Sequence, residues 1–143
     1  MKATSFGGPD DWAAATAMAA MVEGLAGVKD AAKTGAYSQP VIAPRWITTI
    51  SDTATATIRY AASRGYVSYH YAHNKQQHTI NITAATGGEK IFFHLLLPVD
   101  TKVRTVRSNN KNIAFKQSTV DQSNYVNFET DVHGAKTVEI KYE

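Results

Sequence analysis

The side chains able to do chemistry in this chain are carboxylates, imidazoles and aromatic rings. It has no cysteine, and hence no disulfide, thiolate zinc ligand or thiol nucleophile. Hydrolysis of a glycosidic bond uses two carboxylates about 5 to 10 Å apart across a sugar ring. Asp52, Glu89, Asp100, Asp121, Glu129, Asp131 and Glu139 read as turn or strand-end residues, and no spacing among them singles out a pair. No catalytic residue is therefore assigned. His70, His73 and His78 invite a metal reading. His70 and His73, however, are an odd number of residues apart and point to opposite faces of one strand, so they cannot chelate one ion without a bulge. His94 stands in an apolar run, where a hydrogen-bonded core histidine is the expectation. No metal site is expected on the spacing of His70 and His73, and no cofactor is expected; the sequence also contains no Gly-x-Ser-x-Gly elbow, phosphate loop or dinucleotide fingerprint.

Aromatic rings are the larger resource. A sugar-binding surface exposes two or three of them so that the apolar faces of pyranose rings can stack there, with polar neighbours for the hydroxyls. In the stretch 65–73, Val67, Tyr69 and Tyr71 share the more apolar face, and Tyr66, Ser68 and His70 share the other. With the first set in a core, Tyr66 and His70 are the exposed candidates for a carbohydrate contact, and Trp46 is added from the preceding segment. The competing reading is that these rings are β-formers filling a sandwich and its edges.

The elements that must position these residues are short strands. Eight are read at about 54–62, 65–73, 77–85, 89–97, 102–107, 112–118, 123–130 and 135–142, divided by turn-forming residues such as Asn74-Lys75, Gly87-Gly88, Asn109-Asn110 and His133-Gly134. Alternation is clearest at the end, where Val138, Ile140 and Tyr142 share one face and Thr137, Glu139 and Lys141 the other. Eight antiparallel strands without intervening helices predict a mainly β fold, a sandwich or jelly roll. The run Ile91 to Leu97 is apolar on both faces apart from His94 and should lie centrally. Its second face would then be covered by the N-terminal helix or by the Pro-containing segment 37–50.

Ahead of the strands, the spacing predicts one helix from Pro9 to about Lys33, with Gly8 as its cap and Asp10 and Asp11 at the positive end of its dipole. Met18, Met21, Val22, Leu25 and Val28 fall on one core-facing stripe at 100° per residue. The opposite side carries Trp12, Ala15, Ala19, Ala26 and Gly27, with Thr16 and Glu23 for polarity, so both sides are made to touch protein. Either the native neighbours are missing, as in a piece excised from a longer chain, or the helix packs across one face of the sandwich. The domains read as 1–35, a helical segment left from an upstream unit, and 36–143, the β-sandwich.

The 143 residues suit one core, and 43% hydrophobic with 19% charged residues is the composition of a globular protein. A net charge of +3 with Lys and Arg scattered along the chain argues against a nucleic-acid surface. Trp12 to Val28, 17 residues with Glu23 inside, is short for a membrane span, and Asp10 and Asp11 stand where a signal peptide needs cations. No nucleic-acid or membrane partner is expected, and the compartment is not legible without cysteines.

The stretch Asp11-Trp12-Ala13-Ala14-Ala15-Thr16-Ala17-Met18, followed by Val22 to Asp30, resembles the last barrel helix of (α/α)6-barrel glycoside hydrolases, which leads into an all-β C-terminal domain. Gln39-Pro40-Val41-Ile42-Ala43-Pro44-Arg45-Trp46 is similar to the crossing that follows it. Ile58 to Val67 and His94-Leu95-Leu96-Leu97-Pro98 are similar to strands of the appended domain. The resemblance covers nearly the whole chain. It implies a noncatalytic accessory domain of a carbohydrate-active enzyme, with the catalytic acid and base upstream on the barrel and a periplasmic or secreted parent. The implied partners are that barrel, a glycan, and a second copy through the helix.

Overall fold

The computed structural model describes residues 9–33 and 35–143, for residues 9 and 10 the backbone alone, so the Gly8 cap lies outside the described residues. A helix α1 (Pro9–Ala19) continues through a π-helical turn (Ala20–Leu25) into eleven strands. These are β1 (Val28–Asp30), β2 (Pro40–Ile42), β3 (Thr53–Arg59), β4 (Tyr66–Asn74), β5 (Thr79–Thr86), β6 (Lys90–Leu96), β7 (Val103–Ser108), β8 (Lys111–Asn112), β9 (Lys116–Val120), β10 (Ser123–Asp131) and β11 (Lys136–Tyr142). One sheet has the order β1-β2-β6-β10-β9 and the other β3-β4-β5-β11-β7-β8. All pairs are antiparallel except β2 with β6, which run parallel.

The fold is the mainly β sandwich with one N-terminal helix that the alternation predicts. Among the described residues its strands number eleven because three short ones, β1, β2 and β8, carry too few residues to show a period. The strand expected over 112–118 is realised as β9, since 113–115 carries the chain from β8 in one sheet to β9 in the other.

The core lies between the sheets. Val67, Tyr69 and Tyr71 of β4, Ile80 and Ile82 of β5 and Val138 and Ile140 of β11 join Ile91, Phe93 and Leu95 of β6 and Val126 and Phe128 of β10 in one buried cluster. Full burial of side chains of this size contributes about 1.5–3 kcal/mol each. Phe93 stacks on Phe128 at 4.8 Å, and a buried Ser108 Oγ···Thr130 Oγ1 bond of 3.0 Å joins the two sheets.

The helix departs from expectation. It ends at Leu25, not near Lys33. Gly27 stands at φ +66°, and a Cβ there would lie 1.9 Å from the Ala43 carbonyl oxygen, so the helix cannot continue and only glycine fits. The Arg45 and Ala43 N–H groups donate to the Leu25 and Gly27 carbonyls at 2.9 and 2.8 Å. Val28 then enters β1, buried, and β1 pairs with β2. Residues 28–30 of the segment 1–35 thus belong to the sandwich. The stripe is also broken: Met18 and Met21 are 66% and 63% exposed, and Val22 and Leu25 are half-buried. The wider turn at Ala20–Leu25 abandons the 100° register on which the stripe depends.

Candidate interaction surfaces

Between Asp11 and Met21 every side chain is exposed, with Trp12 at 77%. Thr16 Oγ1 is turned back to donate to the Trp12 carbonyl at 2.8 Å. Apart from the Asp11 and Glu23 carboxylates and the Trp12 indole N–H, the helix presents ring, thioether and methyl groups to its surroundings. Its tether is well made: the buried Tyr69 hydroxyl donates to the Ala26 carbonyl at 2.6 Å and accepts from Trp46 Nε1–H at 2.8 Å. Burial pushes the Tyr69 hydroxyl up to about 12, against a smaller lowering by Trp46, so it stays protonated and able to donate.

On the outer face of the five-stranded sheet, alternation leaves Phe92, His94 and Leu96 of β6 beside Tyr125, Asn127 and Glu129 of β10, register partners in reverse order. The β6 residues are half-buried. The segment expected to cover them supplies β2, which pairs alongside β6 and does not lie over it. His94 stacks on Tyr125 with ring centroids 4.2 Å apart, and His94 Nδ1 meets Asn127 Oδ1 at 2.5 Å. The expected hydrogen bond of His94 is present, on an outer face. A groove of about 570 Å³ opens here, lined among others by Phe92, His94, Phe115, Lys116, Asn127 and Glu129. Sequence reasoning missed it because the pairing of His94 with Asn127, 33 residues on, has no local signal.

The outer face of the six-stranded sheet is different in kind. Thr55 bonds His70 Nδ1 at 3.1 Å, Thr57 bonds Ser68 at 2.8 Å and Thr83 bonds Thr137 at 3.1 Å, giving a hydroxyl-rich surface. Tyr66 and His70 both stand on this face, Tyr66 at 37% exposure, while Val67, Tyr69 and Tyr71 are buried beneath them. Four residues of strand separate Tyr66 from His70 by about 13 Å. Trp46, in a 3-10 turn (Trp46–Thr48), bonds the inward-facing Tyr69 and so sits on the core side of the sheet. The structure brings Tyr66 and His70 to one face and leaves Trp46 off it.

Three carboxylates are held in exposed ion pairs with lysine or arginine of other elements. Asp52 pairs with Lys75 at 2.7 Å, Glu129 with Lys90 at 2.8 Å, and Glu143 with Arg104. The hydrogen bond from Lys75 holds the exposed Asp52 carboxyl below its usual range. Such exposed pairs contribute little to stability. His73 is on the buried side, its Nε2 2.6 Å from the Tyr142 hydroxyl, opposite to His70. Among the described residues no three His, Asp or Glu side chains gather where a metal ion could sit.

A two-sheet sandwich carrying an N-terminal helix is the class that these observations define. In solved structures the chain is similar to part of an α-L-rhamnosidase from Dictyoglumus thermophilum. That likeness has a TM-score of 0.54 and 12% identity, and covers 82% of this chain and 12% of that one. At that identity it shows a shared fold alone. No protein-family model and no curated protein matches the chain.

Proposed function

We propose that this chain is a noncatalytic accessory domain of a carbohydrate-active enzyme and that its N-terminal helix is a docking surface for a catalytic barrel of the same parent. The observation that carries this reading is the helix itself, with Trp12, Met18 and Met21 at 77%, 66% and 63% exposure beside a sandwich whose own core is closed. A helix apolar on all sides is stable when other protein surrounds it, and uncovered apolar surface of this kind marks an interaction site. The carbohydrate context is supported by the similarity to a segment amounting to 12% of an α-L-rhamnosidase chain. The pairing of Asp52, Glu129 and Glu143 with lysine or arginine agrees with a noncatalytic role for these three.

Sedimentation velocity tests the reading. With its natural neighbour absent, the chain should self-associate reversibly through the helix, and a Trp12→Glu/Met18→Glu/Met21→Glu variant should be monomeric with an unchanged unfolding midpoint. A wild-type chain that stays monomeric at every concentration, or a variant whose sandwich unfolds, would overturn it. Turnover of aryl glycosides by the purified chain would contradict the noncatalytic part. The second reading, a carbohydrate-binding module using Tyr66, His70 and Trp46, has those residues divided between two sides of a sheet.

A further inference from the structure

The groove on the outer face of the five-stranded sheet is built around one imidazole whose orientation follows from a chain of bonds. The Lys116 carbonyl can only accept, so the amide nitrogen of Asn127 must be the atom that meets it at 3.3 Å and Ser118 Oγ at 2.8 Å. Asn127 Oδ1 therefore faces His94 and accepts from its Nδ1–H at 2.5 Å. In the neutral ring this tautomer leaves Nε2 an acceptor, and no group among the described residues donates to it. Tyr125, stacked at 4.2 Å and 12°, prevents the ring from swinging. Phe92 and Phe115, both half-buried, line the same groove. Its carboxylate, Glu129, is already neutralised by Lys90.

We propose that this groove binds a neutral saccharide, one pyranose laying its apolar face on Phe92 while a hydroxyl donates to His94 Nε2. An apolar protein surface placed here would bury that acceptor unpaired, which is costly. In the helix of a second copy the Thr16 hydroxyl is spent on its own backbone, and the exposed Trp12 Nε1–H is the competing donor, an occupancy that dependence of the groove on protein concentration reveals. A charged ligand gains little from Glu129, held by Lys90, or from the solvent-exposed and screened Lys116. A neutral polyol brings both the donor and the apolar face. The volume, about 570 Å³, falls within the usual span of small-ligand sites. This inference is independent of the docking role of the helix, which lies on other residues.

The test is an amide-resolved NMR titration of the whole chain with methyl glycosides of glucose, galactose, mannose and fucose. At least one should give saturable shifts at Phe92, His94 and Asn127 with millimolar affinity, about tenfold weaker or lost in His94→Phe and in Phe92→Leu. Phe92→Leu keeps an apolar group at that position, and its spectrum confirms folding should His94→Phe disturb Asn127. Shifts confined to Tyr66 and His70 would move the site to the other sheet and overturn the proposal. Absence of saturable shifts up to about 50 mM, or groove shifts that follow protein concentration without sugar, would overturn it as well.

Discussion

In the sandwich, every second residue of β5, β6 and β11 disappears into a common core, with Ile80, Ile82, Ile91 and Ile140 wholly buried. In the helix of the same chain, just as apolar, no side chain from Asp11 to Met21 is even half-buried. The difference lies in what each element faces. The strands find their partners within the chain, whereas the helix is held by its last turn, through the Leu25, Ala26 and Gly27 carbonyls. Isolated helices of this length are marginal in water. The lesson is that hydrophobic residues alone do not mark a core; they mark a need for cover, which the sandwich meets internally and the helix does not.

The comparison can be broken from the sandwich side first. Ile82→Ala removes a fully buried side chain and should destabilise by about 2–5 kcal/mol in urea unfolding. A cost near that of a surface change would mean that the core is not where the energy lies. Gly27→Ala attacks the junction: its Cβ would collide with the Ala43 carbonyl at a positive φ, and about 1–3 kcal/mol should be lost. An unchanged unfolding curve would show that the helix is not anchored there.

Two tyrosines sharpen the contrast between anchored and idle hydroxyls. Tyr69→Phe leaves the Ala26 carbonyl and Trp46 Nε1–H without their partner and should cost about 1–3 kcal/mol. Tyr71 has a buried hydroxyl with no partner among the described residues, so Tyr71→Phe should leave stability unchanged or raise it. Equal losses would contradict the tether. A smaller effect comes from His73, whose ionisation is depressed by burial first and by Lys75 second, with Asp52 opposing. Its unfolded form binds more protons, so stability should be intact at pH 7.5 and decline as the pH falls below about 6.5. His73→Gln should flatten that decline. Smallest of all, Met18→Lys should shift stability by no more than about 0.5 kcal/mol, as on any exposed helix.

Most of the sandwich was legible because β-strands declare themselves by alternation. Val138, Ile140 and Tyr142 are buried on one face of β11 while Thr137, Glu139 and Lys141 stay outside, and the same rule separates Tyr69 from His70. The short strands β1 and β2 were not legible, since three residues show no period and β2 owes its place to a parallel neighbour some 50 residues later. The helix end was hidden because Gly27 reads locally as a small residue in an Ala-rich run, and its role depends on the approach of Ala43. The groove was hidden for a related reason. His94 was visible as a polar residue in an apolar strand, but its partner Asn127, its stacking on Tyr125 and the approach of Phe115 arise from pairing across the sheet.

Amide hydrogen exchange, measured at low and at high protein concentration, tests most directly the claim that the helix awaits a partner. At about 1 μM the amides of residues 12–25 should exchange almost as in a peptide, while those of β5 and β11 are protected to the level of global unfolding, and at about 500 μM association should bring protection to the helix. Helix amides as protected as the strands at low concentration would contradict the account, for the helix would then already have its cover within a single chain.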